Sequence, residues 1–318
     1  MKKQGFILAI FIAIAIAYLF PQDPEIIPLK TITNIGIALI FFFYGLKLSP
    51  AEFKAGFVNY KVHLIIQLTT FIVFPLICLL FVPFFDDATS SNLWIALFFL
   101  GTLPSTVSSS VVMVALAKGN LPAAIFNASL SGLIGIFATP LWIGFFLDLT
   151  TSFDFMEVLQ KLFLQIVLPL AIGLMLQQYF GRWAKKYSRQ LGLLDKTTII
   201  LIIYSSFSSS FSSNLFESLE MIDLLKMFGI VLTIFFIVFF GLGFFSNLIG
   251  LSTEDKITTQ FCGTKKSLVH GSVMVKVLFG NAANSGIILL PIMLYHSTQL
   301  ILIAWFAEKY RKRTEIKV

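Results

Sequence analysis

The sequence predicts an all-α polytopic membrane protein with ten transmembrane helices, and its composition gives the first two reasons. Of the 318 residues, 57% are hydrophobic and 12% are charged, with a mean hydropathy of +0.90. Soluble domains carry roughly 25% charged residues. Phenylalanine alone supplies 36 residues. That is more than a water-soluble core needs, whereas lipid solvates apolar side chains on the outside of a helix.

Segment length gives the third reason. A helix needs about 20 mostly apolar residues to cross a bilayer, and Pro, Gly or charged residues separate most of the apolar stretches. In chain order these stretches cover residues 5–20, 29–46, 62–82, 93–117, 122–147, 156–178, 197–213, 221–249, 257–278 and 285–306. Because Met1-Lys2-Lys3 precedes the first stretch, a cleaved signal peptide is the alternative to a retained first span.

Lysine and arginine residues concentrate in alternate loops, and this distribution orients the chain. With the N-terminus in the cytoplasm, the outer loops hold only Lys30, Lys161 and Lys226. The inner segments hold the basic residues of 2–3, 47–61, 118, 182–196, 256 and 309–317. The positive-inside rule therefore predicts an integral plasma (inner) membrane protein with both termini cytoplasmic. Since the basic residues lie in separate loops, the predicted partner is the lipid bilayer and not a nucleic acid.

Two segments half a chain apart resemble each other. Residues 101–120 are GTLPSTVSSSVVMVALAKGN and residues 263–281 are GTKKSLVHGSVMVKVLFGN, so the shared Gly-Thr pairs lie 162 residues apart. With five spans in each half, 1–150 and 151–318 form inverted repeats, which are typical of secondary transporters. Two similar halves in opposite orientations can give inward-open and outward-open forms of comparable energy.

Both repeated segments are expected to interrupt their helices within the membrane. Pro104 and Ser105 break the fourth span, and Gly263 and Thr264, followed by two lysines and Ser267, break the ninth. Proline removes a backbone donor and clashes one turn back, and backbone groups freed at membrane depth must face protein or a water-filled cavity. Two matching breaks predict a binding site. The alternative for either one is a kink in a packing helix.

Polar side chains near the breaks are the candidate ligands. Hydroxyls and free N–H groups at the start of the second half of the fourth helix favour an anion, with helix-packing serines as the alternative. The residues at that position are Ser108, Ser109 and Ser110. Further candidates lie in the third, fifth and ninth spans: Gln67, Asn127, Ser131 and His270. The histidine is a candidate for proton movement or, equally, a packed neutral imidazole.

Lys265 and Lys266 lie within the ninth span, where each ammonium costs roughly 2.5–3.5 kcal/mol at the bilayer centre. One hypothesis is that an ammonium replaces sodium as a tethered cation and attracts an anionic substrate. A second is that it releases a proton and couples transport to pH. The alternative is a shifted register in which both lysines reach cytoplasmic water. Lys276 is expected to snorkel to the outer surface.

These segments resemble the bile acid/sodium symporter family, and in particular the branch of the seventh member of vertebrate solute-carrier family ten. The resemblance rests on residues 104–110 (PSTVSSS), 118–120 (KGN), 124–127 (AIFN), 264–268 (TKKSL) and 294–296 (LYH). It implies a core domain of spans 3–5 and 8–10, in which the broken helices cross, and a panel domain of spans 1, 2, 6 and 7. It also implies a small organic anion as substrate, bound between core and panel.

The chain departs from the family pattern at the sodium positions. Sodium-coupled relatives place a carboxylate beside the ninth-helix break, whereas residues 261–263 are Phe-Cys-Gly here. Ala124 and Ala128 occupy two fifth-span ligand positions and offer no side-chain oxygen. The coupling ion is therefore open between Na⁺ and H⁺, and no organic cofactor is expected. No metal site is certain from the sequence, and a sodium ion, where one binds, is expected near Ser109, Ser110 and Asn127.

Other functional classes are less well supported. No paired carboxylates or nucleophile–base spacing occurs at membrane depth, and the three histidines are scattered, so the sequence predicts that the protein is not an enzyme. A channel accounts less well for two inverted halves than alternating access does. A non-transporting regulator or sensor stays an alternative, because binding without transport leaves the same residues in place.

Overall fold

The regular structure of the protein is helical throughout the part of the chain that the computed structural model describes. That part comprises residues 3–20, 28–48, 59–85, 91–106, 108–147, 160, 163–212, 220–279 and 285–312. The helices are α1 (Lys3–Leu19), α2 (Leu29–Lys47), α3 (Tyr60–Leu79), α4 (Ser91–Thr102), α5 (Ser108–Leu116) and α6 (Leu121–Leu147). They continue with α7 (Phe163–Lys186), α8 (Ser188–Ser212), α9 (Met221–Leu248), α10 (Thr253–Thr264), α11 (Leu268–Leu278) and α12 (Ser285–Lys312).

Seven of the described helices are long and apolar enough to cross a membrane, namely α2, α3, α6, α7, α8, α9 and α12. The chain is therefore a polytopic membrane protein, as its composition predicts. The count of ten spans, the inversion of the halves and the orientation of the termini stay predictions. Of the residues that orient the chain, Lys2, Lys54, Lys161, Arg313 and Lys317 lie outside the described residues.

Helices α7 and α8, which correspond to the predicted sixth and seventh spans, extend beyond the apolar stretches 156–178 and 197–213 towards each other. Helix α7 continues to Lys186 and α8 begins at Ser188, so the basic segment expected between two spans is largely helical. Hydropathy detects only the part of a helix that lies in lipid, whereas Lys and Arg are themselves good helix formers. Tyr187, with φ −98° and ψ 18°, separates the two helices.

The chain divides into two compact units. The first unit comprises Met1–Ser49, Gly144–Glu220 and Gly271–Leu289, and the second comprises Pro50–Ile143, Met221–His270 and Leu290–Val318. Within the first unit, α1 packs against α8 and α2 packs against α7. Within the second unit, α10 packs against both α9 and α3. The candidate site residues belong to the second unit, and the side chain of Ser108 lies outside the described part of the chain.

Two glycines bring α2 and α7 close together in the first unit. A Cβ atom on Gly45 would overlap the Leu170 carbonyl oxygen and lie 2.9 Å from the Leu174 nitrogen. A Cβ atom on Gly173 would lie 3.2 Å from the Gly45 Cα. Small residues that allow backbones to approach in this way are typical of helix contacts in membranes.

The first unit also corrects the expectation for Lys276. Its side chain is only 5% exposed, and every residue from Gly271 to Leu278 is buried. The prediction that Lys276 snorkels to the surface is therefore wrong. A helix with no exposed face gives a long side chain no surface along which to extend.

Candidate functional site

The two interrupted helices end at equivalent residues of the repeat. Helix α4 ends at Thr102 and α10 ends at Thr264, and each is 12 residues long. The chain becomes helical again at Ser108 in the fourth span and at Leu268 in the ninth. Both predicted interruptions are thus present, and the side chain of Ser108 lies outside the described residues.

Hydrogen bonds join the two breaks directly. The Ser267 N–H donates to the Pro104 carbonyl oxygen at 2.9 Å, and the Ser105 hydroxyl donates to the Cys262 carbonyl oxygen at 2.6 Å. The Ser105 N–H donates to the Ser131 hydroxyl oxygen at 2.9 Å. Backbone groups buried at this depth need protein partners because water is scarce there. Four of the predicted site residues therefore lie together and hold the breaks in contact.

The Lys266 ammonium lies between the breaks and is surrounded by backbone oxygens. The residue is 1% exposed. Its Nζ donates to the carbonyl oxygens of Thr70 at 2.8 Å, Gly101 at 2.6 Å and Leu103 at 2.8 Å. These bonds match the three donors of an ammonium group. The Nζ also lies 4.1 Å from the centroid of the Phe74 ring, a cation–π distance.

Local sequence explains why two of these carbonyls are available. A π-helical turn in α3 directs the Phe74 N–H to the Thr69 carbonyl oxygen. The next residue is Pro75, which has no N–H to give, so the Thr70 carbonyl is left for another donor. Gly101 lies in the last turn of α4, where carbonyl oxygens lack intrahelical donors.

Residues of α12 that the sequence did not single out as site residues support the ninth-span break. The buried Gln299 side chain accepts the Lys266 N–H at 2.8 Å and donates to the Lys266 carbonyl oxygen at 2.7 Å. The Tyr295 hydroxyl donates to the Thr264 carbonyl oxygen at 2.6 Å. The hydroxyl of Thr264 is buried and has no hydrogen-bond partner among the described residues. An amide within the apolar span 285–306 was the available signal for Gln299.

Lys265 points its ammonium towards the start of α5. The residue is 0% exposed, and its Nζ lies 3.4 Å from the Ser109 hydroxyl oxygen. The Thr106 hydroxyl lies 2.7 Å from that of Ser109 and 3.0 Å from that of Ser110. The N-terminal end of a helix carries partial positive charge, so Lys265 adds to it. The burial of both lysines overturns the alternative that they reach cytoplasmic water.

Gln67 and Asn127 form a separate polar contact between α3 and α6. The Asn127 side chain is fully buried, and its nitrogen donates to the Ala123 carbonyl oxygen at 2.9 Å and lies 2.7 Å from His63 Nδ1. Its Oδ1 accepts from Gln67 Nε2 at 3.0 Å. This oxygen is thus already used in helix packing, and a role for Asn127 as an ion ligand stays a prediction.

His270 lies one turn beyond the ninth-span break. Its Nδ1 lies 3.0 Å from the Ser267 hydroxyl oxygen, which also accepts the His270 N–H at 3.2 Å. Ser267 therefore acts as the N-cap of α11. The contact orients the buried imidazole, and its predicted role in proton movement stays a prediction.

An apolar cavity of about 440 Å³ lies beside Gln67, and neither Lys265 nor Lys266 lines it. The polar groups of the lining are the Gln67 amide and the Trp142 indole N–H, which donates to the Phe71 carbonyl oxygen at 2.7 Å. The remaining lining is Leu64, Leu68, Phe71, Ile72, Ile134, Ala138 and Leu141. Such a surface suits hydrocarbon better than a charged ligand.

Asp255 links three segments at the N-terminal end of α10. Its Oδ1 accepts hydrogen bonds from Asn59 Nδ2 at 2.9 Å and Asn120 Nδ2 at 2.7 Å. Its backbone N–H donates to the Ser252 hydroxyl oxygen at 3.1 Å, which caps the helix. The carboxylate thus ties the start of α3 and the turn between α5 and α6 to α10.

Replacing Asp255 by Ala is expected to lower the free energy of unfolding by about 2 kcal/mol, because two amide donors lose a charged acceptor. The measurement is the thermal unfolding midpoint of the purified protein in detergent. Asp223→Ala is the control, since the pair of Asp223 with the exposed Lys226 at 3.9 Å is of a kind that contributes little to stability. Equal midpoints for the two variants would contradict the role assigned to Asp255.

Comparison with known proteins places the chain in a family. The model of the SBF-like CPA transporter family matches residues 4–312. The putative symporter YfeH of Escherichia coli K12 is 30% identical over 311 residues, which cover 98% of this chain and 93% of that protein. Sodium/bile acid cotransporter 7 of Rattus norvegicus is 33% identical over 320 residues, which cover 95% and 91%. An uncharacterized protein of Pseudomonas aeruginosa is 34% identical over 314 residues, which cover 98% and 94%.

These matches agree with the resemblance carried by the two broken segments. The names of the relatives indicate a transporter and not an enzyme, as the sequence predicts. The match extends over almost the whole chain and includes both helix breaks and the lysines between them. The protein therefore belongs to the SBF-like CPA transporter family and is a membrane transporter of the bile acid/sodium symporter type.

Proposed function

We propose that the protein is a secondary active transporter of a small organic anion and that it works by alternating access. The observation that supports the anion is the position of Lys265, whose buried ammonium lies 3.4 Å from the Ser109 hydroxyl at the start of α5. The relatives are named sodium/bile acid cotransporter 7, and a bile acid is an anion of this class. A carboxylate or sulfonate on an apolar, steroid-like body is the proposed substrate.

Electrostatics favours an anion at this position. A helix N-terminus attracts negative charge, and a buried ammonium does so more strongly. Two positive centres that converge in a low-dielectric region repel each other, and an anion between them removes that repulsion. The hydroxyls of Thr106, Ser109 and Ser110 are close enough to one another to donate to the same oxyanion.

The repeat supports alternating access. Helices α4 and α10 have equal lengths and end at the threonines of the two Gly-Thr pairs. We propose ten spans in two inverted halves, with spans 3–5 and 8–10 as core and spans 1, 2, 6 and 7 as panel. The presence of α1, α2, α7 and α8 in one compact unit and of α3, α4, α5, α9 and α10 in the other supports this grouping, although most of α11 lies in the first unit.

The coupling ion of this proposal is either Na⁺ or H⁺. The names of the cotransporter 7 relatives favour sodium. The chain itself offers Ala124 and Ala128 at two fifth-span ligand positions and no carboxylate in residues 261–263. Since sodium prefers oxygen ligands, the sequence at these positions favours a proton gradient.

Counterflow in proteoliposomes tests the proposal. Vesicles loaded with unlabelled taurocholate, or with succinate as a non-steroidal carboxylate, are diluted into a trace of the same labelled anion. A carrier is expected to accumulate label transiently, because the outward-moving unlabelled anion drives exchange. Repeating the uptake with an imposed Na⁺ gradient, compared with equimolar choline at constant pH, and separately with an imposed pH gradient in sodium-free choline buffer, identifies the coupling ion.

Protein-free vesicles and vesicles without internal anion are the controls. Anion binding without counterflow for either anion would overturn the transport proposal and favour a non-transporting regulator or sensor. Accumulation of label that depends on neither gradient would support a carrier but would exclude both Na⁺ and H⁺ as the coupling ion.

A further inference from the structure

The Lys266 ammonium occupies a set of ligands suited to a monovalent cation. The carbonyl oxygens of Thr70, Gly101 and Leu103 lie 2.6–2.8 Å from its Nζ. Rings of backbone carbonyls are the ligands by which proteins replace the hydration shell of monovalent cations. The C-terminal end of α4 adds partial negative charge, and the Phe74 ring covers a further side.

We propose that Lys266 is a built-in cation that fills a monovalent-cation site of the second unit, and that trimming its side chain opens this site to a free alkylammonium ion. The proposal goes beyond transport, because it concerns what holds the two helix breaks together. Its test measures folding stability and needs no transport assay, so it can fail independently of the proposed function.

The site is expected to persist when the side chain is removed, because other residues form it. Pro75 and the π-helical turn leave the Thr70 carbonyl without a helical donor, and the end of α4 does the same for Gly101. The backbone of residue 266 is held by both hydrogen bonds of the Gln299 amide. Three inward-facing carbonyl oxygens without a donor are unfavourable in a dry interior and favour the entry of a cation.

Lys265 provides a matched comparison in the same backbone segment. It has the same side chain and the same burial as its neighbour. Its Nζ lies 3.4 Å from a hydroxyl oxygen that already contacts the Thr106 hydroxyl at 2.7 Å. A hydroxyl can rotate to a new partner, whereas the carbonyls around Lys266 are fixed by their helices. Trimming Lys265 therefore frees a hydroxyl that can pair again with Thr106, and it serves as the comparison for trimming Lys266.

The experiment is chemical rescue of Lys266→Ala. This substitution removes Cγ, Cδ, Cε and Nζ, which are the heavy atoms of n-propylammonium. The thermal unfolding midpoint of the full-length protein in detergent is followed by the fluorescence of its 4 tryptophans. In tetramethylammonium chloride, which has no N–H donor, the midpoint is expected to fall by roughly 5–15 °C. In n-propylammonium chloride it is expected to rise progressively with concentration, because a ligand of the folded state stabilises it.

The wild type and Lys265→Ala are the controls, and each is expected to show the same midpoint in both salts. A rise for Lys266→Ala in sodium chloride over tetramethylammonium chloride would also support a cation site. An equal response to both ammonium salts, or an equal response of Lys265→Ala, would overturn the proposal.

Lys266→Met keeps the length of the side chain without its charge or donors, and it decides the matter if Lys266→Ala gives no folded protein. Its midpoint is expected to fall as well, and no alkylammonium should restore it because the thioether fills the space. A Lys266→Met protein as stable as the wild type would show that the carbonyl oxygens of Thr70, Gly101 and Leu103 need no cation, and it would overturn the proposal.

Discussion

Replacing Lys265 by Met is expected to reduce counterflow of the anion that we propose as substrate by about ten- to a hundredfold. A charged hydrogen-bond donor contributes about 1.5–3 kcal/mol, and each 1.4 kcal/mol corresponds to a tenfold change in binding. The Met side chain fills a similar volume, so the buried ammonium of Lys265 is lost without a large cavity. Initial rates of uptake at several anion concentrations provide the measurement.

Two further variants give this prediction its controls. Lys256→Met removes an ammonium that lies 2.8 Å from the Asn247 side-chain oxygen in an exposed contact, and it should leave uptake unchanged. Lys265→Arg keeps the charge and should retain part of the activity. Uptake by Lys265→Met at the wild-type rate would show that the anion binds elsewhere.

Replacing Gln299 by Leu is expected to lower the free energy of unfolding by about 2–5 kcal/mol. Its amide is the partner of both the N–H and the carbonyl oxygen of Lys266. A buried polar group left without a partner costs about 1–3 kcal/mol, and the substitution leaves two. The thermal unfolding midpoint in detergent should fall by several degrees.

Gln178→Leu is the matched control for this substitution, because Gln178 is exposed on α7. Its midpoint should stay close to that of the wild type. Gln299→Glu keeps an acceptor for the Lys266 N–H but loses the donor to the carbonyl oxygen, and an intermediate midpoint is expected. If Gln299→Leu and Gln178→Leu unfold at the same temperature, the amide does not support the break.

Local chemistry explains why the helix breaks could be predicted from the sequence. Pro104 and the polar run after Gly263 disrupt a helix whatever surrounds them, and the repeat places the two disruptions at equivalent positions. The resemblance to the family could be recognised from the sequence for the same reason, because the motifs that carry it lie at these breaks. The depth of Lys265 and Lys266 in the ninth span favoured their burial, and the structure decided against the alternative register.

Other features depend on contacts between distant segments and could not be predicted. Lys265 and Lys266 are adjacent and chemically identical, and only the fold places one beside a hydroxyl and the other among carbonyls. Gln299 is an ordinary polar residue until the break is positioned against it. The helical ends of α7 and α8 extend outside the apolar stretches because hydropathy reports on lipid and not on backbone hydrogen bonding.

The three hydrogen bonds of the Lys266 ammonium also restrict how the segments that they join can move. They connect α3, the end of α4 and the start of the ninth-span break through a single atom. Separating any one of these segments from the others would leave an ammonium N–H or a carbonyl oxygen without a hydrogen-bond partner in a dry interior. The free-energy cost of that loss is far above thermal energy. In the transport cycle that we propose, a motion that changes access to the anion would therefore carry these segments as one rigid body.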